Sequence, residues 1–350
     1  MTLTDRQQEI RRTRVTATDA AAILGQHPYR SAIDVWLAKR GQRADAGDMT
    51  RARWGTILED PIRDDYADRR QLAVAVPGTL IHPTEDWAAA TPDGVCYPAG
   101  TYVAHAGPYS TGPSTTAPLR GLEVKTHSTW ARSYGEPGTD QVPPEELIQC
   151  AWNLWVARAR YGADLAEWDL VAFVDGLPID YVVRRDPELE ELMVEACRAF
   201  HAESILGGRQ PEPDGSEAYA RHLARLHPRH LGEELVAADA ATTDLVRALY
   251  ESRQLLAASH REEERLQQQI KRAIGDAPGL EFATVGAGRR RTERITWRRS
   301  ADYERTDYRA VVDALRLAHQ EEPEEIEQAI REHTAVVEGT RRFVVPRSWK

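Results

Sequence analysis

No run of about 18 apolar residues occurs in the 350-residue chain, which excludes a membrane-spanning helix. The amino terminus, MTLTDRQQEIRRTR, lacks the apolar segment of a secretory leader, so the expected location is the cytosol. Cysteine is scarce. Cys96, Cys150 and Cys197 lie far apart and form no C-x-x-C pair, so neither a disulfide framework nor a thiolate-held zinc or iron–sulfur centre is expected. Positive charge is in deficit too: 45 Lys and Arg against 55 Asp and Glu leave a net charge of −10. That balance argues against a protein that coats nucleic acid through bulk charge. It leaves room for a local basic groove, and acids that bind metal would add to the negative count. No internal repeat is visible.

What is present is ordinary for a folded protein, 41% hydrophobic and 29% charged, and long enough for one large core or two modest ones. The first 45 residues read as two short capped helices. Thr18-Asp19 opens one that Gly25 closes; Ser31, with Asp34 in capping-box spacing, opens another that Gly41 ends. His27-Pro28-Tyr29 is a turn between them. A third helix is predicted from Arg53 to Arg69. Short strands follow at Leu72–Val76, Leu80-Ile81 and Ala88–Ala90, then a Gly, Pro, Ser and Thr-rich loop from about 98 to 118. Gly121 to Thr126 alternates as a strand. Pro143-Pro144-Glu145-Glu146 opens a helix with Ile148, Ala151, Trp152 and Trp155 on its apolar stripe. Asp175-Gly176 marks a hairpin between two further strands, and Pro187 starts a helix ending at Gly207-Gly208. The expected division is 1–212 as a mixed α/β domain, 213–236 as a linker, and 237–350 as an accessory region. The last begins with a long charged helix carrying a broken heptad of leucines, followed by a hairpin and a short amphipathic helix near Tyr308 to Leu317.

The chemistry concentrates in Thr91-Pro92-Asp93-Gly94 and, after the loop, Leu122-Glu123-Val124-Lys125-Thr126. Strand alternation puts Glu123 and Lys125 on one face, and the Pro-Asp-Gly turn would deliver Asp93 to the same place. Two carboxylates and the Val124 carbonyl make a hard oxygen site suited to Mg²⁺. Lys125 would orient or activate the attacking water and offset phosphate charge. Taken singly, P-D-G is a common turn and E-x-K a common charge pair on a strand; their order, with an acidic helix before and a glutamine-bearing helix after, is what carries weight.

At these residues the sequence resembles the YqaJ-type viral recombinase nucleases, relatives of phage lambda exonuclease in the PD-(D/E)XK superfamily. The blocks are T-x-D-A-A-A-I-L-G-x-x-P-Y at Thr16 to Tyr29, G-x-x-L-E-x-x-I at Gly55 to Ile62, T-P-D-G, L-E-V-K-T, and P-P-x-x-L-x-Q at Pro143 to Gln149. The match covers roughly residues 11 to 210. The resemblance implies a PD-(D/E)XK core, a mixed central sheet flanked by helices, with a mostly helical carboxy-terminal extension. It implies that Asp93 and Glu123 ligate Mg²⁺, with Mn²⁺ able to substitute. Lys125 would be the catalytic lysine, Glu59 would add a carboxylate to the metal shell, and Gln149 would position the water or Lys125. Thr18 at a helix start, with Arg11 or Arg14 nearby, would hold a DNA 5′-phosphate, or Thr18 is an ordinary cap. The implied activity is 5′ to 3′ degradation of double-strand DNA ends, leaving 3′ single strands for an annealing or recombinase partner. A ring-shaped homotrimer is implied as well. An endonuclease on the same core and a non-catalytic DNA-binding or assembly protein are the alternatives.

The remaining signals stay open. Trp36 and Trp54 read as core residues rather than base-stacking platforms. Arg289, Arg290, Arg291, Arg294, Arg298 and Arg299 would contact phosphates or form a solvated hairpin face. His222, His227 and His230 match no familiar zinc spacing.

Overall fold

The computed structural model describes residues 5–42, 50–101, 117–127, 134–162, 164–229, 234–286, 289–297 and 308–318, with 324, 328 and 331–332. They fall into two compact units, Met1–His227 and Pro228–Lys350.

In the first unit, helices α1 (Asp5–Thr13), α2 (Ala17–Ile23), α3 (Ala32–Lys39) and α4 (Thr50–Arg70) precede the sheet. Three helices rather than two therefore occupy the start of the chain, α1 being polar enough to leave no apolar stripe. Helix α2 is capped by Thr16, two residues before the expected Thr18. The Asp19 carboxylate accepts from both the N–H and the hydroxyl of Thr16, at 3.1 and 2.8 Å, which is the reciprocal tie that starts a helix. Gly25 and Gly41 follow their helices with φ of +68° and +76°, the left-handed stop that glycine tolerates.

The central sheet has five strands in the order β1 (Leu72–Ala75), β4 (Gly94–Pro98), β5 (Arg120–His127), β6 (Glu167–Val174), β7 (Leu177–Arg184). All neighbours are antiparallel except β5 and β6, which run parallel. The parallel step requires a crossover, supplied by α5 (Pro144–Tyr161). β6 and β7 are joined by Asp175-Gly176 alone, both at positive φ, as a two-residue type I′ hairpin demands. A small pair, β2 (Leu80–Ile81) and β3 (Ala89–Ala90), lies apart from the sheet.

Each face of the sheet has its own core. On one side Ile62 and Tyr66 of α4 pack on Cys96, Leu122 and Val171, with Val124 and Phe173 at the margin. On the other, α5 contributes Ile148, Trp152, Leu154 and Val156 against Trp168, Leu170 and Tyr181, joined by α2 and by Met193 and Cys197 of α6 (Pro187–Phe200). β5 and β6 approach closely where Gly121 faces Trp168: a Cβ on Gly121 would fall 2.2 Å from the indole. Helix α6 continues into a π-helical turn, His201–Leu206.

The expected linker, 213–236, is not all linker. Helix α7 (Glu217–Leu226) lies inside it, and its Ala218 and Tyr219 pack with Ile33 and Leu37 of α3. The first unit therefore extends to His227 rather than 212. In the second unit, α8 (Ala240–Ile274) is followed by the hairpin β8 (Gly279–Gly286) and β9 (Arg289–Thr296) and by α9 (Tyr308–Ala318). Most of the loop expected at 98–118 lies outside the described residues. Among the described residues no helix is long and apolar enough to cross a membrane.

Candidate active site

Strand β5 carries the site. Leu122 and Val124 belong to the α4-side core, so alternation turns Glu123, Lys125 and His127 toward α5. Glu123 is only 2% exposed. Its Oε1 accepts from Lys125 Nζ at 2.6 Å and from the Gln149 amide, and its Oε2 accepts from Asn153 Nδ2 at 3.0 Å. Lys125 Nζ also donates to Gln149 Oε1 at 2.9 Å. Glu123, Lys125 and Gln149 thus close a triangle. Gln149 and Asn153 can both reach it because residues four apart share one helix face.

Asp93 arrives from the turn before β4. Its Oδ2 accepts the Val124 N–H at 2.8 Å, so a backbone donor, not a side-chain cation, fixes it beside β5. Glu59 comes from α4, one turn beyond Gly55. The helix can lie against β5 there because Gly55 has no side chain: a Cβ would stand 3.3 Å from Thr126 Oγ1. Arg63 lies 3.6 Å from Glu59 and donates to the Asp93 carbonyl at 3.3 Å.

The electrostatics are lopsided. Burial first, then the charges of Glu123 and Glu59, push the Asp93 carboxyl well above the ordinary carboxylate range. Burial also raises Glu123; Lys125 opposes that rise, while Glu146 and Glu59 add to it. Burial disfavours the Lys125 ammonium, but Glu123, Asp93 and Glu146 outweigh it and lift its pKa above the usual value. Lys125 is therefore held as a cation and is unsuited to accept a proton. His27 feels Lys125 as well: burial, Arg30 and Lys125 lower its pKa to about 4.

Four of the expected residues, Asp93, Glu123, Lys125 and Gln149, are thus brought together with the Val124 main chain, and Glu59 faces them from α4. Sequence reading missed a second layer. Glu146, 3% exposed, accepts from the Tyr134 hydroxyl and pairs through Oε1 with His127 Nε2 at 2.8 Å. The strand alternation that selects Glu123 and Lys125 selects His127 next. Glu146 and Asn153 stand one turn to either side of Gln149.

The amino-terminal block is arranged differently from expectation. Thr18 lies within the first turn of α2 and is not its cap. Arg14 donates to the Asp86 carbonyl at 2.6 Å. Lys39, unremarked in the sequence, is buried and donates to the Arg11 and Arg14 carbonyls and to Asp19. Trp36 packs beside α7, but Trp54 is 56% exposed on α4 and is no core residue. His222 is buried edge-on against Tyr219, and His230 lies outside the described residues. Arg294 pairs with Glu281 at 2.8 Å; Arg298 and Arg299 lie outside the described residues.

A mixed sheet flanked by helices, with an acid from a turn and an E-x-K strand meeting a helix glutamine, is the arrangement expected from the resemblance to the PD-(D/E)XK nucleases. Residues 7–160 match the family described as the YqaJ-like viral recombinase domain. The chain is 22% identical over 282 residues to protein YqaJ of Bacillus subtilis (strain 168), covering 79% of each chain. Among solved structures it is similar to an alkaline exonuclease from Laribacter hongkongensis, with 20% identity, a TM-score of 0.42, and coverage of 64% of this chain and all of that one. The same enzyme in complex with dAMP aligns with 22% identity and a TM-score of 0.41, over 64% and 97% of the two chains.

Proposed function

We propose that the protein is a divalent-metal-dependent deoxyribonuclease acting on double-strand DNA ends. The observation that carries this reading is the convergence of Asp93, Glu123 and Lys125 around the Val124 main chain. The donor set suits a hard cation: carboxylates whose charges are incompletely balanced and a main-chain carbonyl, while the nearby Cys150 thiol is pushed well above its usual range, first by burial and then by Glu123, and is not a thiolate. No set of three or more His, Cys, Asp or Glu side chains among the described residues is gathered as a ready cage. Asp93, Glu123 and the Val124 carbonyl, with Glu59 behind them, would leave much of the shell to water and phosphate, as Mg²⁺ prefers and Mn²⁺ would accept. Such an ion supplies Lewis acidity and a water of lowered pKa.

The remaining work falls to the chain. Lys125, fixed by Glu123 and Gln149, presents a permanent positive charge to a phosphate oxygen. The Gln149 amide bridges Glu123 and Lys125 and is positioned to orient a water. Asp93 Oδ2 is committed to Val124 N–H, so Oδ1 is the oxygen left for a cation. The finer reading, 5′ to 3′ digestion leaving a 3′ strand for an annealing or recombinase protein, rests on the resemblance of the sequence blocks to lambda-exonuclease-type nucleases. Thr18, with Arg11 or Arg14, would meet a 5′-phosphate.

The experiment uses purified full-length chain and end-labelled linear duplex, with covalently closed circular duplex beside it. Cleavage of the linear form alone, lost in EDTA and restored by Mg²⁺, is expected. Asp93→Ala and Lys125→Ala should each lower the rate by at least about 100-fold. Full activity in either variant overturns the site, and cutting of the circle turns the reading to an endonuclease. Equal rates on 5′-phosphorylated and 5′-hydroxyl ends would remove the role given to Thr18 and Arg11.

A further inference from the structure

Helix α5 meets β5 in a ladder of side-chain hydrogen bonds. Asn153 donates to Glu123, Gln149 bridges Lys125 and Glu123, and Glu146 pairs with His127. The first two rungs belong to the site already described; the third has no part in it. A rung that merely held the helix on the sheet would bury both partners. Here the Glu146 side chain is 4% exposed, but that of His127 is 29% exposed. Along this face exposure grows from Glu123, at 3%, to Lys125, at 23%, and on to His127. The face therefore opens at the end of the strand.

The His127 ring is held from two directions. Opposite a carboxylate, Nε2 carries the proton, and its 2.8 Å bond to Glu146 Oε1 leaves Nδ1 for another partner. Tyr134 stands edge-on to the ring, with centroids 5.4 Å apart, and donates its hydroxyl to the other Glu146 oxygen. Tyr134 is in turn packed on the buried Tyr181. The imidazole is thus oriented before any ligand arrives.

We propose that His127 is a DNA-contact residue, held by Glu146 and Tyr134 so that Nδ1 donates to the phosphate next to the one Lys125 meets. The inference rests on the nuclease reading above. Alternate residues of a strand lie about 7 Å apart, a step that suits neighbouring phosphates of one nucleic-acid strand. Between Glu146 and a phosphate the imidazole is flanked by two anions and carries both N–H donors. A ring already oriented loses little freedom on binding. Glu146 and Tyr134 act through His127 and are positioning residues.

The test measures binding of the purified full-length chain to a 5′-phosphorylated linear duplex in EDTA across a range of salt. His127→Gln keeps an N–H for Glu146, so it preserves the tie while removing the charged donor. It should weaken binding about 10-fold, the worth of one charge-assisted contact. It should also make log K fall less steeply with log salt, by about one. In Mg²⁺ the same variant should raise KM more than it lowers kcat. A second measurement places a neutral methylphosphonate at one linkage after another near the duplex end. At one position the native chain and His127→Gln should bind alike, and elsewhere the native chain should bind more tightly. A native salt slope and a native KM in His127→Gln overturn the proposal and leave His127 as a tie; the lack of any such position overturns it too. A native chain that neither binds nor cleaves the duplex overturns the nuclease reading itself.

Discussion

Asp93 shows how a site can work against the fold that holds it. Its carboxyl is raised by burial and by Glu123 and Glu59, so the folded chain holds the proton more tightly than the unfolded one. Its own contribution to stability without bound cation is then most favourable in acid and is lost as pH climbs from the ordinary carboxylate range through the raised value. Each unit of that rise corresponds to about 1.4 kcal/mol. Asp93→Asn keeps an oxygen for the Val124 N–H and removes the charge. In EDTA at pH 8 it should melt a few degrees above the native chain, with the advantage vanishing near pH 4; a lower melting temperature at both pH values would contradict this. The sequence reader could reach Asp93, Glu123 and Lys125 because a turn and a two-residue alternation are local patterns. Glu146 and Tyr134 were out of reach, since their pairing with each other and with His127 joins a helix, a loop and a strand. Thr16 was within reach: its spacing from Asp19 is that of a capping box, but Thr18 offered a competing hydroxyl. Trp54 was misread because helical spacing places a residue on a face without saying whether anything covers it.

Among the elements, β5 and β6 tolerate the least change. Their parallel register sets Gly121 opposite Trp168, and the indole is fully buried with the α5-side core behind it. Gly121→Ala should cost at the upper end of about 1–3 kcal/mol or beyond, because the ring cannot withdraw. Urea unfolding would show a lower midpoint at an unchanged slope; an unchanged midpoint would mean that the sheet yields more easily than the packing indicates. The strongly periodic elements were legible: α5, the β6–β7 hairpin and α8 all stand close to where their patterns put them. α1 and β4 were not. The first is polar but for Ile10. The second, Gly94–Pro98, is buried at four of its five residues and so shows no alternation.

For the whole molecule, the division at His227 has a direct consequence. α7 packs on α3 and belongs with the sheet, so a chain ending at His227 should keep a cooperative unfolding transition. One ending at 212 should lose α7 from the α3 surface and melt at a lower temperature. Equal melting temperatures for the two truncations would show α7 to be dispensable. The linker was misjudged because Pro211 to Ser216 is turn-rich, which drew the boundary ahead of a ten-residue amphipathic helix, EAYARHLARL, whose apolar face packs on α3. The parallel step between β5 and β6 also imposes an order of events in time. As the chain leaves the ribosome, Asp93 and Glu123 emerge before α5, and β5 cannot gain its second neighbour until α5 has crossed and β6 has followed. A nascent chain stalled before α5 therefore carries both acids with neither Gln149 nor Asn153 to order them, and synthesis itself delays the assembly of the site.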